Sequence, residues 1–271
     1  MPDAPPPWAT LARTHASAVV LPRHAHSRGQ LVFAIRGVML VDVGAMQWTV
    51  PPQRALWLPP HQPHAVHILS ATQMRTVYFQ PAFIAHCAPG ERLQAVHAVI
   101  ASPLLRALVL GLFDPSFDAP AHATMATLLL QALRQTPALP CALPMPASGS
   151  LAQALAPLLQ EGRWQLSMAD LAHAAAMSER SFTRHFTAET GMSFRTWRQR
   201  ARLLASLDLL HAGLPVKTIA RRLQFASEAA YAQAFRGLFA STPVQFRLQA
   251  PAEALAAAST GSTVNHGQRA R

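Results

Sequence analysis

The feature that most constrains the fold of this 271-residue chain is a pattern that occurs twice in its C-terminal third. Each copy has a short apolar helical stretch, a tight turn and a second helical stretch preceded by a serine, Ser178 in the first copy and Ser227 in the second. Serine is a favoured N-cap, and the acidic residues that follow, Glu179 and Glu228, complement the positive end of a helix dipole. The pattern therefore predicts two helix-turn-helix units.

Aromatic residues four positions apart mark one face of the second helix in each copy. Phe182 and Phe186 have this spacing in the first copy, and Tyr231 and Phe235 have it in the second. Because residues at i and i+4 share a helix face, we expect these faces to pack on the preceding helix. The opposite faces remain available for the major groove of DNA, where the first residues of a recognition helix meet the base edges.

A predicted helix at 193–211 connects the two copies and combines a basic stretch with an apolar stripe. About nineteen residues at ~1.5 Å each span roughly 28 Å. This length suits two recognition helices held about one ~34 Å DNA turn apart on one face of the duplex. A helical bundle without DNA would explain the apolar stripe equally well, but it would not explain a repeated unit with two matching caps.

The distribution of charge favours the same partner. The chain carries 23 Lys and Arg against 12 Asp and Glu, a net charge of +11 with His neutral. Residues 1–150 hold 9 basic and 5 acidic side chains (+4), whereas 151–271 hold 14 and 7 (+7). A basic C-terminal part indicates a polyanionic partner, of which nucleic acid is the first candidate. A charge that serves solubility, or a GC-rich genome that favours Arg and Ala, is the alternative.

The N-terminal half has the pattern of short strands broken by glycine and proline. Such strands at this spacing are typical of a β-sandwich or barrel. The predicted strands are 18–21, 31–36, 38–43, 47–50, 54–58, 65–70 and 75–79. Helical spacing follows at 91–112 and 120–135, with Leu93, Val96, Val99 and Ile100 on one face and Ser102 as an N-cap before Pro103.

These patterns predict an α+β chain with an N-terminal β-sandwich or barrel with helices and a C-terminal all-α domain with two helix-turn-helix units. The predicted parts are a flexible N-terminus (1–14), a sensor and dimerisation domain (15–135), a proline-rich linker (136–150), a DNA-binding domain (151–249) and a disordered tail (250–271). No apolar run reaches the ~18 residues of a membrane span. The N-terminus lacks the order of a signal peptide, so we expect a cytoplasmic protein without a membrane partner.

Residues 171–246 resemble the DNA-binding domain of the AraC/XylS family. The resemblance lies in LAHAAAMSERSFTRHFTAETGMSFRTWRQRARL and in VKTIARRLQFASEAAYAQAFRGLFASTPVQFR. Two positions depart from the family pattern, because Gln224 and Ala240 stand where glycine is usual. A left-handed residue without glycine costs about 1 kcal/mol, so we expect the second unit to be less well ordered.

The resemblance implies which side chains read the bases. They are Arg180, Thr183 and Arg184 in the first unit and Ala229, Ala230 and Gln233 in the second. Arginine can bind guanine bidentately and glutamine can bind adenine, whereas alanine touches only a thymine methyl. We therefore expect the first unit to carry most of the direct readout. The phosphate-contact candidates, for which a solvated surface arginine is the alternative, are Arg195, Arg198, Arg236 and Arg247.

The stretches HAHSRGQLVFAIRGVMLVDVGAMQWTVPP and RALWLPPHQPHAVH resemble the cupin barrel of one branch of AraC-type sensor domains. Cupin enzymes hold a divalent metal with a His-x-His pair, an acid and a later histidine. Here His24, His26 and His64 match the histidines, but Gln30 stands at the position of the acid. Three imidazoles suffice for Zn, Fe or Ni. The alternative is that these residues form the polar lining of an effector pocket.

The main hypothesis is a transcription regulator that binds double-stranded DNA and responds to a small-molecule effector in the barrel. It implies no catalytic residues and no required cofactor, with RNA polymerase and a second copy of the chain as further partners. The alternative is a cupin-type metalloenzyme with an appended helical domain; Gln30 and the repeated unit favour the regulator. An alkyl-transfer repair protein is disfavoured because Cys87 and Cys141 lie far apart and form no cysteine cluster.

Overall fold

The structure, a computed structural model, describes residues 6–52, 54–139 and 141–248. Its strands are β1 (Trp8–His15), β2 (Val20–His24), β3 (Gly29–Arg36), β4 (Met39–Val43), β5 (Met46–Val50), β6 (Arg54–Leu58), β7 (His64–Ile68), β8 (Thr72–Phe79), β9 (His97–Ile100), β10 (Ala138–Leu139) and β11 (Ala142–Pro144). Its helices are α1 (Pro81–Cys87), α2 (Pro103–Gly111), α3 (Ala119–Gln135), α4 (Gly149–Gln160), α5 (Met168–Ala174), α6 (Glu179–Thr190), α7 (Phe194–His211), α8 (Val216–Arg222), α9 (Glu228–Phe239) and α10 (Pro243–Leu248). Across these ranges no helix combines the length and apolarity needed to cross a membrane. The predicted α+β class is confirmed.

Two antiparallel sheets form the N-terminal half. One has the strand order β1-β8-β3-β6-β9-β10 and the other the order β11-β5-β4-β7-β2. Alternate side chains of a strand point to opposite faces, so Val32 and Ala34 of β3 pack between the sheets, while Leu31 and Phe33 pack against α1, α2 and α3. Because the first sheet is buried on both faces, β3 reads as a continuous apolar run.

One part of the predicted helical region is wrong. Residues 91–94 form a short 3-10 helix, and the following stretch is strand β9, which pairs with β6. Val99 and Ile100 are β-branched, which favours a strand where a sheet edge is available. The predicted cap is confirmed farther on, because the Leu105 amide donates to Ser102 Oγ over 3.2 Å at the start of α2.

Two segments predicted to lack regular structure contain strands. β1 starts at Trp8, within the segment predicted to be flexible, and pairs with β8 along its whole length. The predicted linker contains β10 and β11, which extend the two sheets at their edges, where proline-rich chain is tolerated. The predicted tail at 250–271 lies outside the described residues, and the division into domains stays a prediction.

The C-terminal half contains the two expected helix-turn-helix units, α5 with α6 and α8 with α9, joined by α7. Phe182 and Phe186 are stacked with their ring centroids 5.8 Å apart. Phe194 and Trp197 of α7 meet the Phe186 ring edge-on at 5.4 and 5.5 Å. The predicted aromatic face of α6 thus forms the core of the first unit together with α7.

Left-handed residues close the first helix of each unit. Ala176 (φ 56°) follows α5 and Gln224 (φ 58°) follows α8. The amide of the residue that follows each left-handed residue then bonds back into the helix: Met177 N to Ala172 O and Phe225 N to Ala220 O, both at 2.9 Å. Ala240 (φ 53°) ends α9 in the same way. Gln224 and Ala240, which stand where glycine was expected, therefore adopt the conformation that favours glycine.

Replacing Gln224 or Ala240 with glycine should stabilise the protein. Each change removes about 1–2 kcal/mol of left-handed strain and loses part of that to the greater chain entropy of glycine. We expect the free energy of unfolding in urea to rise by about 0.5–1 kcal/mol for each. The control is Ala188→Gly, in the exposed interior of α6, which should lower it by about 1 kcal/mol. A loss of stability in all three variants would contradict the prediction.

Candidate nucleic-acid interface and sensor site

The first recognition helix presents its predicted base-reading side chains to solvent. Arg180, Thr183 and Arg184 of α6 are exposed, on the side opposite the buried Phe182 and Phe186. The predicted cap is present, since the Ser181 amide donates to Ser178 Oγ over 3.2 Å. The cap fixes where the helix begins, and so places these three side chains in its first two turns.

The second recognition helix exposes fewer side chains that can bind base edges. The Ala230 amide donates to Ser227 Oγ over 3.0 Å, which confirms the second predicted cap. Ala229 and Gln233 of α9 are exposed, but Ala230 is half-buried. The face opposite the buried aromatic side chains of α9 thus contains one long polar side chain among the predicted base contacts.

The four predicted phosphate contacts fall into two groups. Arg195 and Arg236 are exposed, whereas Arg198 and Arg247 are half-buried. The Arg198 guanidinium lies over the Phe194 ring, 5.9 Å from its centroid, and burial lowers its pKa. Arg195 and Arg236 are therefore the freer of the four to contact a polyanion.

Arg202, which the sequence places in the basic stretch of α7, has a structural role. It donates to the carbonyl oxygens of Leu223 and Gln224 at 3.2 and 2.7 Å, and its guanidinium lies 4.5 Å from the Phe225 ring centroid. These contacts hold the turn of the second unit against α7.

In the barrel, three histidines converge at one end. His24, the last residue of β2, pairs with His64, the first residue of β7. One ring nitrogen from each of His24, His26 and His64 lies within 4.8 Å of the others. His26 lies beyond the end of β2, so the two histidines of the His-x-His pair do not project from a single strand. The connection to β3 nevertheless returns its ring to the cluster.

Backbone carbonyls fix the orientation of two of these rings. His24 Nδ1 lies 2.7 Å from Pro22 O, and His64 Nδ1 lies 2.9 Å from Gln62 O. A carbonyl only accepts, so each Nδ1 carries the hydrogen and each Nε2 keeps a lone pair. Burial lowers the pKa of His26 and His64, and the neighbouring His24 lowers both further. Burial therefore favours the uncharged form of the His26 and His64 rings.

Gln30 and Tyr78 complete this end of the barrel. They are cross-strand neighbours on β3 and β8. The Tyr78 ring stands edge-on to His26, with 5.1 Å between the centroids, and burial raises the pKa of its phenol. Sequence reasoning missed Tyr78; its signal is the alternation along β8, in which the even-numbered positions match the inward-facing Gln30 and Val32 of β3.

Apolar side chains fill the middle of the barrel. Val32, Val41 and Leu56 are fully buried between the two sheets, and Val66 nearly so. A ligand is therefore best accommodated at the polar end of the barrel, where His24 and His26 are partly exposed.

At the opposite end of the barrel, hydrogen bonds join the two halves of the chain. The Gly37 amide donates to His211 Nε2 over 3.2 Å, and Ser70 Oγ donates to Asp208 Oδ1 over 3.3 Å. Ser70 Oγ also accepts from the Val38 amide at 3.0 Å. The turns that follow β3 and β7 therefore both contact the last turn of α7.

Two further contacts lie along this junction. Trp197 Nε1 donates to Pro144 O of β11 over 2.6 Å. Arg54 of β6 is only 1% exposed, lies 4.9 Å from the ring centroid of Phe246 and bonds to the thiol of Cys141. Burial raises the pKa of Cys141, which is an unbridged thiol, as Cys87 is. The barrel and the helical half thus share one packed interface.

Two protein families match the chain, one in each half. The AraC-like ligand binding domain matches residues 9–138, and a helix-turn-helix domain matches residues 171–249. The first match contains the histidine cluster and the second contains both recognition helices. The matches therefore coincide with the two sites described above.

One curated protein and two solved structures illustrate what the chain is similar to. The HTH-type transcriptional regulator NimR of Escherichia coli (strain K12) is 28% identical over 230 residues, which cover 83% of this chain and 81% of NimR. The crystal structure of ToxT from Vibrio cholerae O395 covers 91% of this chain and 99% of its own, at 11% identity and a TM-score of 0.39. The DNA-binding domain of AdpA, in complex with a target DNA, is 32% identical over 38% of this chain and 93% of its own, with a TM-score of 0.35.

NimR is a transcriptional regulator by name, and neither that name nor the family descriptions indicate a cofactor or an enzymatic activity. The alternative of a metalloenzyme with an appended helical domain therefore has no support. The order of the two halves, a ligand-binding barrel followed by two helix-turn-helix units, is that of a one-component regulator. The chain is an AraC-type DNA-binding transcription regulator with a ligand-binding N-terminal domain.

Proposed function

We propose that α6 and α9 enter successive major grooves of one operator, and that this regulator reads its bases chiefly through α6. The proposed base contacts are Arg180, Thr183, Arg184, Ala229, Ala230 and Gln233, and the proposed phosphate contacts are Arg195, Arg198, Arg236 and Arg247. The observation that supports this proposal most strongly is the exposed face of two capped helices, each opposite an aromatic core. A protein that reads genomic DNA acts in the cytoplasm of a bacterial-type cell, where we place it.

The chemistry of the two faces differs. Arg180 and Arg184 each have a planar guanidinium that fits the acceptor pair of guanine, whereas on α9 only Gln233 can bind a base edge through two hydrogen bonds. Arg184 also has its Nη2 3.3 Å from His185 Nε2, which limits the directions in which it extends. We therefore assign most of the sequence discrimination to α6.

Selection from a randomised duplex pool at two salt concentrations tests DNA recognition directly. We expect enrichment of a motif with two half-sites about 10 base pairs apart. Retention should weaken steeply with salt, because arginine–phosphate contacts release counterions from the duplex. Retention without enrichment of any motif would contradict sequence-specific recognition.

Single variants should separate the roles of the two helices. Arg184→Ala should lower discrimination between the selected motif and a single-base mismatch by about 5- to 150-fold, since a bidentate contact contributes about 1–3 kcal/mol. Gln233→Ala should lower it less. Arg195→Gln should weaken binding to all sequences alike, and Thr187→Ala, an exposed α6 change outside the proposed contacts, should change nothing. Equal losses of discrimination in Arg184→Ala and Gln233→Ala would contradict the assignment.

The effector site we propose is the polar end of the barrel, where His24, His26, Gln30 and His64 meet. An effector bound there shifts the balance between two arrangements of the barrel and the helical half. The shift alters how α6 and α9 engage DNA, or how the bound regulator contacts RNA polymerase. The contacts between α7 and the turns after β3 and β7 physically connect the barrel to the helical half.

We further propose that two protomers pair through the outer faces of α2 and α3. The inner faces of these helices cover a sheet, but Leu104 of α2 is 53% exposed and Leu128 of α3 is 40% exposed. Large apolar side chains on an outer helical face are typical of an interaction surface. A dimer would present two pairs of recognition helices to one operator.

Sedimentation of the purified chain at tens of micromolar tests this pairing. We expect a dimer for the natural sequence and a monomer for Leu104→Lys combined with Leu128→Lys, because two buried charges without partners oppose association. Val244→Lys, which changes an exposed apolar residue on α10, is the matched control and should remain dimeric. A monomeric natural protein would rule the proposal out.

A further inference from the structure

The polar end of the barrel contains side-chain atoms that are buried without a partner. Within the described residues, no hydrogen bond reaches His26 Nε2, His64 Nε2 or Gln30 Oε1. His64 is 1% exposed and Gln30 is 5% exposed. A buried polar atom without a partner lowers stability. The cluster is therefore better suited to a bound ligand than to packing alone.

The chemistry of these atoms restricts what the ligand is. His24 and His64 hold their Nδ1 hydrogens on backbone carbonyls, so that their Nε2 atoms are lone-pair acceptors. Gln30 Oε1 is an acceptor as well. Histidine acceptors that lie within 4.8 Å of one another cannot bond to each other, and they attract a cation instead. Metal-binding histidines show the same arrangement, with one nitrogen on the ion and the other donating to a carbonyl.

We propose that His24, His26 and His64 bind one divalent transition-metal ion, with Gln30 as a fourth ligand, and that this ion is the regulatory ligand of the barrel. The inference rests on the proposed function, in which the barrel is the sensor. Imidazole donors favour Zn²⁺, Ni²⁺, Co²⁺ or Cu²⁺ over Mg²⁺ or Ca²⁺, which prefer oxygen. A separation of 4.8 Å or less lets small ring rotations bring all three nitrogens to one ion at ~2.0–2.1 Å.

The ligand set favours a reversible site. It contains no carboxylate and no thiolate, so the charge of the bound ion is not compensated by its ligands. Such a set binds an ion less tightly than the charged sets of structural zinc sites, which contain thiolates. A regulatory ligand must leave when its concentration falls, and a neutral set of imidazoles and one amide meets that need.

Two strands lead from this cluster to the helical half. Gln30 lies at the start of β3 and Gly37 follows its end, while His64 starts β7 and Ser70 follows its end. Six or seven residues at ~3.3 Å each cover roughly 20–23 Å. Both strands end at α7, through the bonds from Gly37 to His211 and from Ser70 to Asp208.

The turn at Gly37 is closely packed against Ala71 and Thr72. Gly37 has φ +81°, and a Cβ there would stand 2.3 Å from Thr72 Oγ1 and 2.5 Å from Ala71 O. Only glycine fits. In the proposed mechanism, a displacement of β3 or β7 that follows metal binding moves the turns after these strands and, through their hydrogen bonds, the end of α7, the helix that connects the two recognition units.

The first experiment measures metal binding by the full chain without a purification tag. The protein is stripped with a chelator, and Zn²⁺ is titrated in competition with a chromophoric chelator, with elemental analysis of the product. We expect one ion per chain. His64→Gln should weaken binding at least 10-fold, and His86→Gln, an exposed histidine on α1, should not change it.

The variant Gln30→Glu tests whether Gln30 is a metal ligand or only packs against its neighbours. A carboxylate is a stronger ligand and compensates the charge of the ion, so this variant should bind Zn²⁺ at least 10-fold more tightly than the natural chain. A purely structural Gln30 would give no gain. Absence of stoichiometric binding in both the natural chain and Gln30→Glu would overturn the metal site, whatever the outcome of the DNA assay.

The second experiment measures the affinity for the selected duplex with and without one equivalent of Zn²⁺. We expect a change of at least 5-fold that is absent in His64→Gln. It should also be lost when Ser70→Ala is combined with His211→Gln, in a variant that still binds Zn²⁺. Metal binding without any change in DNA affinity would overturn the regulatory role. A natural chain that selects no DNA motif would contradict the proposed function instead, and the metal titration would still decide the site.

Discussion

The burial of helix α7 is the interaction on which the rest of the structure depends. Phe194 and Trp197, near its start, complete the aromatic core of the first unit, and Arg202 in its middle holds the turn of the second. Asp208 and His211, in its last turn, bond to the barrel. Most of the stability of a helix in a protein comes from its packing against the rest of the fold, so these contacts determine the position of α7. A single rigid element thus fixes the two DNA-reading helices relative to each other and to the sensor.

Local chemistry explains why the recognition helices could be predicted from the sequence. Ser178 and Ser227 cap α6 and α9 as expected, because an N-cap depends only on residues within one turn. Strand β9 could not be recognised in the same way: its β-branched residues also fit a helical spacing, and only pairing with the distant β6 decides between the two. β10 and β11 were missed for the same reason, since a proline-rich stretch becomes a strand only where a sheet edge is free.

The candidate sites also have a part that the sequence predicts and a part that only the tertiary structure reveals. The exposed faces of α6 and α9 follow from helix periodicity once the aromatic face is known. The histidine cluster follows in part from the His-x-His spacing, but His26 reaches it through a turn that the spacing does not reveal. The bond from Gly37 to His211 joins residues 174 positions apart, and no local pattern marks it. The route by which the barrel reaches α7 therefore had to come from the tertiary structure.

Arg54 gives the junction between barrel and helical half an unusual character. Its guanidinium is almost completely enclosed, beneath Phe246 and beside Cys141, so the docked arrangement deprives a permanent charge of most of its hydration. The bond to Cys141 and the contact with Phe246 stand in part for the water that this guanidinium would otherwise bind. Removing one partner of a buried charge destabilises a protein more than removing an apolar contact of similar size. Any rearrangement of the two halves must therefore keep this charge either bonded or hydrated, which restricts how they can move.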